Sequence, residues 1–471
     1  MAAAAPLLDR QPHDPIAHVS QALPGGGRVS RQISSTVFLA HVHAVAALLP
    51  EHKFAVNLCE NRYLFLVAFC AAIVRSQTNL LPPNRALETQ RALKRRYQDC
   101  YILHDGLDQL ADWRTVDLRG CMPDLHPADS SGIHNRISDV PLIELEHIAA
   151  IAFTSGSTGE SQANLKSWRT FVDSTAINAR HMLGVGDHRY HVLATVPGQH
   201  MWGLETTILM PLFARLCIDD SKPLFPQDVA DRLSRLPEPR LLVSTPVHLR
   251  SLCLSGVSFP KVERILCATA PLARELAGDV ETLFGGTLLE VFGCSEVGSM
   301  AWRHTSVTDV WELFDGLTMN GEADNVVVGA EHLPEATRLQ DNVEILGDRK
   351  FRLLGRGSDM LEIAGKRGSL LAMNSMLQSH PLVVDAAVFL PEPQSQPFSQ
   401  QKNNRGVSRL AALVVLKDGS SEADIGNYLR ERVDPVFVPR PILFVEKLPR
   451  EENGKLPREK LLAFYHSIKN T

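Results

Sequence analysis

The sequence lacks the features that would place it in several large classes of protein. Its eight cysteines are scattered over 471 residues and form no CxxC pair, which argues against a zinc ribbon or a disulfide scaffold. The longest apolar run, 63–74, is bounded by Arg62 and Arg75 and falls short of the about 20 residues that a membrane-spanning helix needs. We therefore predict a buried core helix there and no integral membrane segment. The amino terminus has no basic segment ahead of a sustained apolar stretch, so we expect no signal peptide.

Charge of either sign is not in excess. The sequence has 48 Lys and Arg against 53 Asp and Glu, a formal net charge of −5. The sequence therefore has no excess of positive charge with which to bind nucleic acid or an anionic membrane, and we expect no nucleic-acid partner. Hydrophobic residues at 44% and charged residues at 21% are the proportions of a soluble globular protein. With unpaired cysteines, the expected location is the reducing cytoplasm.

Short apolar runs between longer helical patterns predict an α/β fold. The runs lie at 54–59, 148–154, 190–196, 240–245 and 264–269. They are continuously apolar, which is typical of strands that are covered on both faces of a sheet. Several of them end in clusters of Gly, Ser, Thr or Pro. In open α/β sheets ligands bind at the carboxyl ends of the strands, so these clusters are the places to look for chemistry.

The pattern changes after about residue 310. Segments 311–329 and 342–356 alternate apolar and polar residues, which predicts antiparallel strands joined by turns. Further on, the sequence predicts two helices and two strands, at 369–380, 423–433, 383–390 and 410–417. The Gln-, Ser- and Pro-rich segment 391–408 predicts a surface loop.

A loop of small polar residues follows the apolar run 148–154. It consists of Thr154, Ser155, Gly156, Ser157, Thr158 and Gly159. Glycine lets backbone amides approach an anion and the hydroxyls add donors, so such a loop can hold phosphate oxygens. It is not a Walker A motif, because GxxxxGK[ST] is absent. Taken alone, the cluster fits an ordinary polar turn after a strand better than a phosphate loop.

Four further motifs follow this loop in order. They are LLEVFGCSEVGS (288–299), DNVEILGDRKFRLLGR (341–356), GRGSDMLEIAGKRG (355–368) and LPREENGKLPREKL (448–461). This ordered set resembles the adenylate-forming superfamily of acyl-CoA synthetases, peptide-synthetase adenylation domains and luciferases, from about Phe54 to Leu461. The resemblance implies an α/β fold with a large N-terminal AMP-binding domain, 1–355, of stacked α/β subdomains and a β-barrel-like part. A small mobile α+β lid domain, 356–471, would follow it.

The resemblance implies a site for ATP and Mg²⁺. The loop from Thr154 to Gly159 would wrap the triphosphate, Ser295 would touch the α-phosphate region, and Glu296 would hold Mg²⁺ through its carboxylate. The family's Pro-Lys pair after the loop is replaced here by Ser161 and Gln162. Lys166 is either a point charge that reaches back to the phosphates in its place or a solvated helix residue.

The remaining nucleotide contacts are implied for the adenine and the ribose. Phe292, which Gly293 follows in the same cofactor-binding motif, would stack on adenine, although Phe292 alone also fits a plain core aromatic. The small residues that would line the ring are Ala268, Thr269 and Ala270. Asp341 would accept hydrogen bonds from the ribose hydroxyls, whereas its rival Asp348 fits a hairpin turn better. Arg356 would contact ribose or phosphate, and the small pair Gly357 and Ser358 would form the domain hinge.

The last implied residues concern the acyl group. Lys455 would meet the charge that develops between the acyl carboxylate and the α-phosphate, unless it is a solvated lysine of a charged tail. Gly365 would lie beside a pantetheine arm. His200 would close over the carboxylate or be merely structural. Trp202, Gly203 and Thr245 would shape the acyl pocket.

The sequence therefore predicts an ATP-dependent acid:thiol ligase that adenylates a fatty, aryl or other hydrophobic carboxylic acid. The acceptor would be CoA or the phosphopantetheine of an acyl carrier protein, supplied by another molecule. Two alternatives stay open. One is a free-standing amino-acid adenylation domain, and the other is a degenerate family member that binds a nucleotide or acyl ligand without catalysis.

Overall fold

The structure is a computed structural model. It describes residues 3–22, 28–106, 113–121, 140–154, 162–184, 188–321, 325–356, 360–363, 366–391, 409–417, 422–452 and 454–469. The described residues form helices and strands in the alternating order that the sequence predicts, and all five apolar runs contain a strand. The predicted core helix is α2, and its side chains are almost all buried.

The helices are α1 (Ser35–Leu48), α2 (Arg62–Val74), α3 (Leu87–Arg96), α4 (Trp168–Leu183), α5 (Met201–Leu204), α6 (Met210–Phe213), α7 (Pro226–Arg235), α8 (Pro246–Leu254), α9 (Arg274–Phe284), α10 (Leu370–Gln378), α11 (Glu422–Arg432) and α12 (Arg458–Lys469). A π-helix, Glu205–Leu209, joins α5 to α6. The strands are β1 (Ala4–Pro6), β2 (Pro15–Ala22), β3 (Arg28–Ser34), β4 (Phe54–Asn57), β5 (Thr78–Leu81), β6 (Cys100–His104), β7 (Thr115–Asp117), β8 (Leu142–Glu144), β9 (Ile148–Thr154), β10 (Gln162–Ser167), β11 (Tyr190–Ala194), β12 (Leu216–Asp219), β13 (Arg240–Ser244), β14 (Arg264–Cys267), β15 (Thr287–Cys294), β16 (Gly298–Arg303), β17 (Trp311–Leu313), β18 (Leu317–Asn320), β19 (Val327–Ala330), β20 (Thr337–Arg338), β21 (Asp341–Gly347), β22 (Lys350–Arg356), β23 (Met360–Ile363), β24 (Lys366–Ser369), β25 (Val383–Phe389), β26 (Ala411–Leu416) and β27 (Ile442–Phe444).

A six-stranded sheet carries the polar loop. Its order is β10-β9-β5-β4-β6-β7, and all of its neighbours are parallel except the antiparallel pair β9 and β10. The loop predicted to hold phosphates connects these two strands. β10 runs directly into α4, whose first turn is capped by the Ser167 hydroxyl accepting from the Thr170 amide at 3.2 Å.

An eleven-stranded sheet forms the largest layer. Its order is β21-β22-β17-β16-β15-β14-β13-β11-β12-β2-β3, and the strands from β15 to β2 are parallel. The antiparallel hairpins predicted after residue 310 extend one edge of this sheet and add an open three-stranded sheet, β18-β19-β20. These pieces are the β-rich part that the sequence predicts. The carboxyl ends of the parallel strands face the segments that the sequence marks for chemistry.

The chain after β24 forms a separate small unit. It contains a three-stranded sheet, β25-β26-β27, and the helices α10, α11 and α12. Two hydrophobic clusters of its own fill it, one on each face of β26, which carries Ala412 and Val414 into one cluster and Leu413 and Val415 into the other. The alternation of strand side chains explains this division. The predicted surface loop 391–408 lies, apart from its first residue, outside the described residues.

The cysteines are all free thiols, and five of them are buried. Burial raises the pKa of every one of the eight. None of the helices in the described ranges is long and apolar enough to cross a membrane.

Candidate functional site

The turn between β15 and β16 presents the residues predicted to meet the metal and the α-phosphate. Ser295 and Glu296 lie in this turn, and both are half-buried. A Cβ on Gly293 would lie 2.3 Å from the Gly298 carbonyl oxygen, so the two strands approach each other more closely than any side chain at Gly293 would allow. The sequence here folds into a tight hairpin whose tip offers one carboxylate and one hydroxyl.

Lys166 is neither solvated nor helical. It lies in β10, one residue before the Ser167 cap, and is only 2% exposed. Its ammonium donates a hydrogen bond to the Glu296 carbonyl oxygen at 2.5 Å. The predicted solvated helix residue is therefore wrong, and the ammonium contacts the Glu296 turn. A reach of Lys166 to the phosphates stays a prediction.

Glu205 contacts β16, the strand that follows this turn. It is the first residue of the π-helix and is 4% exposed. Its carboxylate accepts from the Ser299 amide at 3.0 Å and from the Ser299 hydroxyl at 2.6 Å. Burial raises the pKa of Glu205, against the hydrogen bonds from Ser299 and the charge of Lys166. π-Helical turns occur disproportionately at functional sites.

Phe292 lies in β15 within an aromatic group. Its ring centroid is 5.6 Å from that of Trp311 and 6.0 Å from that of Phe351, and the ring is only partly buried. The turn after the neighbouring strand, β14, contains Ala268, Thr269 and Ala270. Thr269 has φ 84°, a left-handed conformation that is unfavourable for a β-branched residue. Such strained positions concentrate at functional sites.

Asp341 and Arg356 are opposite each other in the hairpin of β21 and β22. Asp341 is half-buried at the start of β21. Asp348 lies in the exposed turn between the two strands, as the sequence predicts. A role of Asp341 in binding the ribose stays a prediction.

The predicted acyl-pocket residues gather at the carboxyl ends of β11 and β13. Trp202 is buried and donates from its indole nitrogen to the Ser244 carbonyl at 3.2 Å. A Cβ on Gly203 would lie 1.9 Å from the Pro197 carbonyl oxygen, so only glycine fits there. Thr245 is fully buried, and its hydroxyl caps α8 by accepting from the His248 amide at 3.4 Å.

His200 precedes α5 at the edge of the same cleft. Its pKa is lowered to about 4, first by burial and then by the nearby charge of Lys455. The imidazole is therefore neutral at physiological pH. The charge of Lys455 thus acts on His200, although the two residues are far apart in the chain.

The turn that carries Lys455 packs on Thr245, one of the residues predicted for the acyl pocket. The Glu451 amide donates to the Lys455 carbonyl at 2.8 Å, and the Gly454 amide donates to the Glu451 carbonyl at 2.9 Å. Gly454 is buried with φ 79°, and a Cβ on it would lie 3.1 Å from the Thr245 hydroxyl oxygen. Lys222 forms an ion pair with Glu452 at 3.1 Å. The exposed Lys455 side chain follows directly after this contact.

Several residues of this site were not predicted from the sequence. Arg62 is 3% exposed and donates to the Ala194 and Val196 carbonyls at 3.0 and 2.7 Å, which anchors the end of β11. His248 shares a hydrogen bond of 2.9 Å with the Thr195 hydroxyl. Glu205 did offer a signal, because it is the single charged residue in the apolar segment 201–213.

Some predicted residues lie outside what the structure describes. The main chain of Thr154 is described as the end of β9, and that of Arg356 as the end of β22. Outside the described residues are Ser155, Gly156, Ser157, Thr158, Gly159, Gly357, Ser358 and Gly365. Their roles in binding phosphate or pantetheine and in hinge motion stay predictions.

The described residues fit a magnesium nucleotide. Glu296 supplies a half-buried carboxylate of the kind that Mg²⁺ prefers. Phe292 is only partly buried, and Ala268 and Ala270 are small, as the binding of a flat ring requires. The strained Thr269 between the two alanines is consistent with a binding turn.

Comparison with known proteins agrees with this arrangement. The model of the family "AMP-binding enzyme" matches residues 44–329, and that of the "AMP-binding enzyme C-terminal domain" matches residues 372–455. A 4-coumarate–CoA ligase of Rhodobacter capsulatus is 26% identical over 370 residues, covering 74% of this chain and 89% of that protein. A long-chain-fatty-acid–CoA ligase of Bacillus subtilis is 26% identical over 375 residues, covering 69% of this chain and 63% of that protein.

Solved structures share the fold at lower identity. The crystal structure of ATP-bound MatB from Rhodopseudomonas palustris superimposes with a TM-score of 0.75 at 18% sequence identity, covering 97% of each chain. At this identity the likeness shows that the two chains have the same fold.

Proposed function

Because the chain belongs to the AMP-binding enzyme family, we propose that it is an AMP-forming acid:thiol ligase. In the first half-reaction a carboxylate oxygen of the acid bonds to the α-phosphorus of ATP, and pyrophosphate leaves. In the second, a thiolate sulfur bonds to the acyl carbon, and AMP leaves with the electron pair of the broken C–O bond. The thiol proton passes to solvent.

One observation carries this proposal. The turn bearing Lys455 is seated on Thr245, and the charge of Lys455 reaches His200. A lysine delivered by a separate C-terminal unit to the mouth of an acyl pocket is suited to charge that develops between a carboxylate and a phosphate. This arrangement corresponds to the first half-reaction.

The other residues take supporting roles. Glu296 holds Mg²⁺, which neutralises phosphate charge when it is bound. Asp341 orients the ribose through its carboxylate. The neutral His200 can hydrogen-bond the acyl carboxylate or the adenylate without adding a charge. Trp202 and Gly203 form the floor of the pocket. The loop from Thr154 to Gly159 would provide the phosphate donors, and Gly365 would lie beside the pantetheine arm.

The acid, the acceptor and the organisation of the chain are part of the same proposal. The apolar surroundings provided by Trp202 and the buried end of β13 favour a fatty, aryl or other hydrophobic acid. CoA is the acceptor that the named relatives suggest, and the phosphopantetheine of an acyl carrier protein is the alternative acceptor.

We place the domain boundary at 355/356, with hinge motion at Gly357 and Ser358, and the protein in the cytoplasm.

The test is a screen of acid-dependent pyrophosphate release with Mg-ATP. Hydroxycinnamic, benzoic, fatty and amino acids are each supplied alone and then with CoA, and AMP and thioester are measured by chromatography. Hydrophobic acids that yield both AMP and a CoA thioester support the proposal. Amino acids as the preferred substrates support the adenylation-domain alternative. Nucleotide binding without pyrophosphate release from any acid supports a degenerate binding protein.

A further inference from the structure

Two buried groups of opposite charge meet at the turn that presents Glu296. The Lys166 ammonium donates to the Glu296 carbonyl at 2.5 Å, and the Glu205 carboxylate accepts from the amide and the hydroxyl of Ser299. The two contacts are three residues apart in the chain, one at Glu296 in the turn and one at Ser299 in β16. They come from different layers, because Lys166 lies in the six-stranded sheet and Glu205 in the π-helix after β11.

The contacts are close enough to define the path of the main chain. Gly298, between the two contact points, has φ 96°, and a Cβ on it would lie 2.5 Å from a carboxylate oxygen of Glu205. A carboxylate packed directly on a glycine in this conformation leaves the turn little freedom. Displacements of about 1 Å in a group that binds a reacting centre can cost two orders of magnitude in rate.

Burying these two charges lowers the free energy of folding less than burying apolar side chains would, so a purely structural contact does not explain them. Lys166 is 2% and Glu205 4% exposed, and an apolar side chain at position 166 would fill the same space without a desolvation penalty. Burial lowers the pKa of the Lys166 ammonium, and the neighbouring charges of Glu205 and Glu296 oppose that shift. Each charge therefore depends on the other, and removing one leaves its partner uncompensated.

We propose that Lys166 and Glu205 are a pair of positioning residues that hold the Glu296 carboxylate in the orientation for Mg-ATP. The idea rests on the proposed function, because it assumes that Glu296 is the metal-binding group. It also assigns a use to the lysine that follows the polar loop, in a chain whose loop has Ser161 and Gln162 in place of the Pro-Lys pair. Lys166 then acts through the turn and not on the phosphates.

A double-mutant cycle separates positioning from stability. The variants are Lys166→Met, Glu205→Gln and the two combined, and the matched control is Arg10→Met. Arg10 is another buried cation that donates to main-chain carbonyls, those of Pro211 and Leu216, near the amino end of β12. The first readout is the rise in melting temperature caused by ATP, with Mg²⁺ and with EDTA. The second is the Mg²⁺ concentration that gives half-maximal AMP formation.

Each single variant is expected to lower the melting temperature and to raise the half-maximal Mg²⁺ concentration about tenfold, equivalent to about 1.4 kcal/mol. The double variant has no uncompensated charge, so it should recover most of the melting temperature. Its Mg²⁺ requirement should remain raised, because neither contact to the turn is restored. Arg10→Met should lose stability and keep the wild-type Mg²⁺ requirement.

A double variant with a wild-type Mg²⁺ requirement would overturn the proposal, since the pair would then serve the fold alone. The same conclusion would follow if Arg10→Met raised the Mg²⁺ requirement equally. If a single variant does not fold, the double variant decides the question. The ATP-induced shift in melting temperature needs no acid substrate. Wild-type protein that binds Mg-ATP but forms no AMP with any acid would therefore refute the proposed function and leave this inference testable.

Discussion

Replacing Lys455 by methionine tests the assignment of the first half-reaction. The Lys455 side chain is exposed, and the turn that carries it is held by main-chain hydrogen bonds and by Arg450, which donates to the Gly454 carbonyl at 2.9 Å. Removing the ammonium should therefore leave the turn docked on Thr245 and the melting temperature nearly unchanged. The loss is confined to one cation that meets developing charge. Such a group contributes about 2.7–4 kcal/mol, or 10² to 10³ in rate.

The assay measures the two half-reactions separately. Acid-dependent exchange of labelled pyrophosphate into ATP reports adenylation, and thioester formation from a synthetic acyl-adenylate reports transfer. We expect Lys455→Met to lose about 10² to 10³ in exchange and to keep thioester formation within a few-fold of wild type. Lys447→Met is the matched control, because Lys447 is an exposed lysine of the same segment. Wild-type exchange in Lys455→Met, or equal losses in both half-reactions, would refute the reasoning.

Three further predictions follow from single positions. Glu296→Gln should raise the Mg²⁺ concentration needed for pyrophosphate release about tenfold or more with little change in melting temperature, and a melt that collapses with unchanged Mg²⁺ dependence would instead assign Glu296 to structure. Gly203→Ala should abolish soluble expression or activity, because its Cβ would lie 1.9 Å from a main-chain oxygen. The control is Gly278→Ala, in the middle of α9 with open space around it. This control should raise the free energy of unfolding in urea by about 0.5–1 kcal/mol. Burial, and then the charge of Lys222, lower the pKa of His248 to about 4. Between pH 6.5 and pH 4 the unfolded state therefore binds a proton that the native state does not. The free energy of unfolding falls as the pH is lowered from about 6.5 toward 4. Urea unfolding at pH 7 and pH 5 should show a smaller loss in His248→Asn than in wild type, and equal losses would exclude His248 as a contributor.

The strands and their order of appearance were accessible from the sequence, for a physical reason. Runs such as 190–196 and 240–245 are covered on both faces, so they are apolar throughout and short. The hairpin turn at Asp348 was equally accessible, because turn residues act locally. Gly203 and Gly293 could be predicted as site residues because they belong to recognisable motifs. The structure explains why glycine is needed there, because two main-chain segments approach each other too closely for a side chain.

The environment of Lys166 was not accessible in the same way. Its partners belong to the π-helix and to the β15–β16 turn. No local sequence pattern indicates contacts between residues that are so far apart in the chain. A π-helix has no sequence signature comparable to a cap or a turn. One local signal was nevertheless present: Ser167 is a typical helix cap, which places Lys166 before the helix and not in it. The acid Glu205 in an apolar segment was the complementary signal.

The buried thiols have a practical consequence for testing the proposed hinge motion of the C-terminal unit. A raised pKa leaves little thiolate at neutral pH, and thiolate is the species that reacts with maleimides. The native cysteines should therefore label slowly without being mutated, so two introduced surface cysteines would be the fast sites. One at Lys447, in the C-terminal unit, and one at Glu88, on the exposed face of α3, would carry a fluorophore pair. Their separation could then be recorded through the catalytic cycle in an otherwise wild-type protein, with the hydrophobic core left as it is.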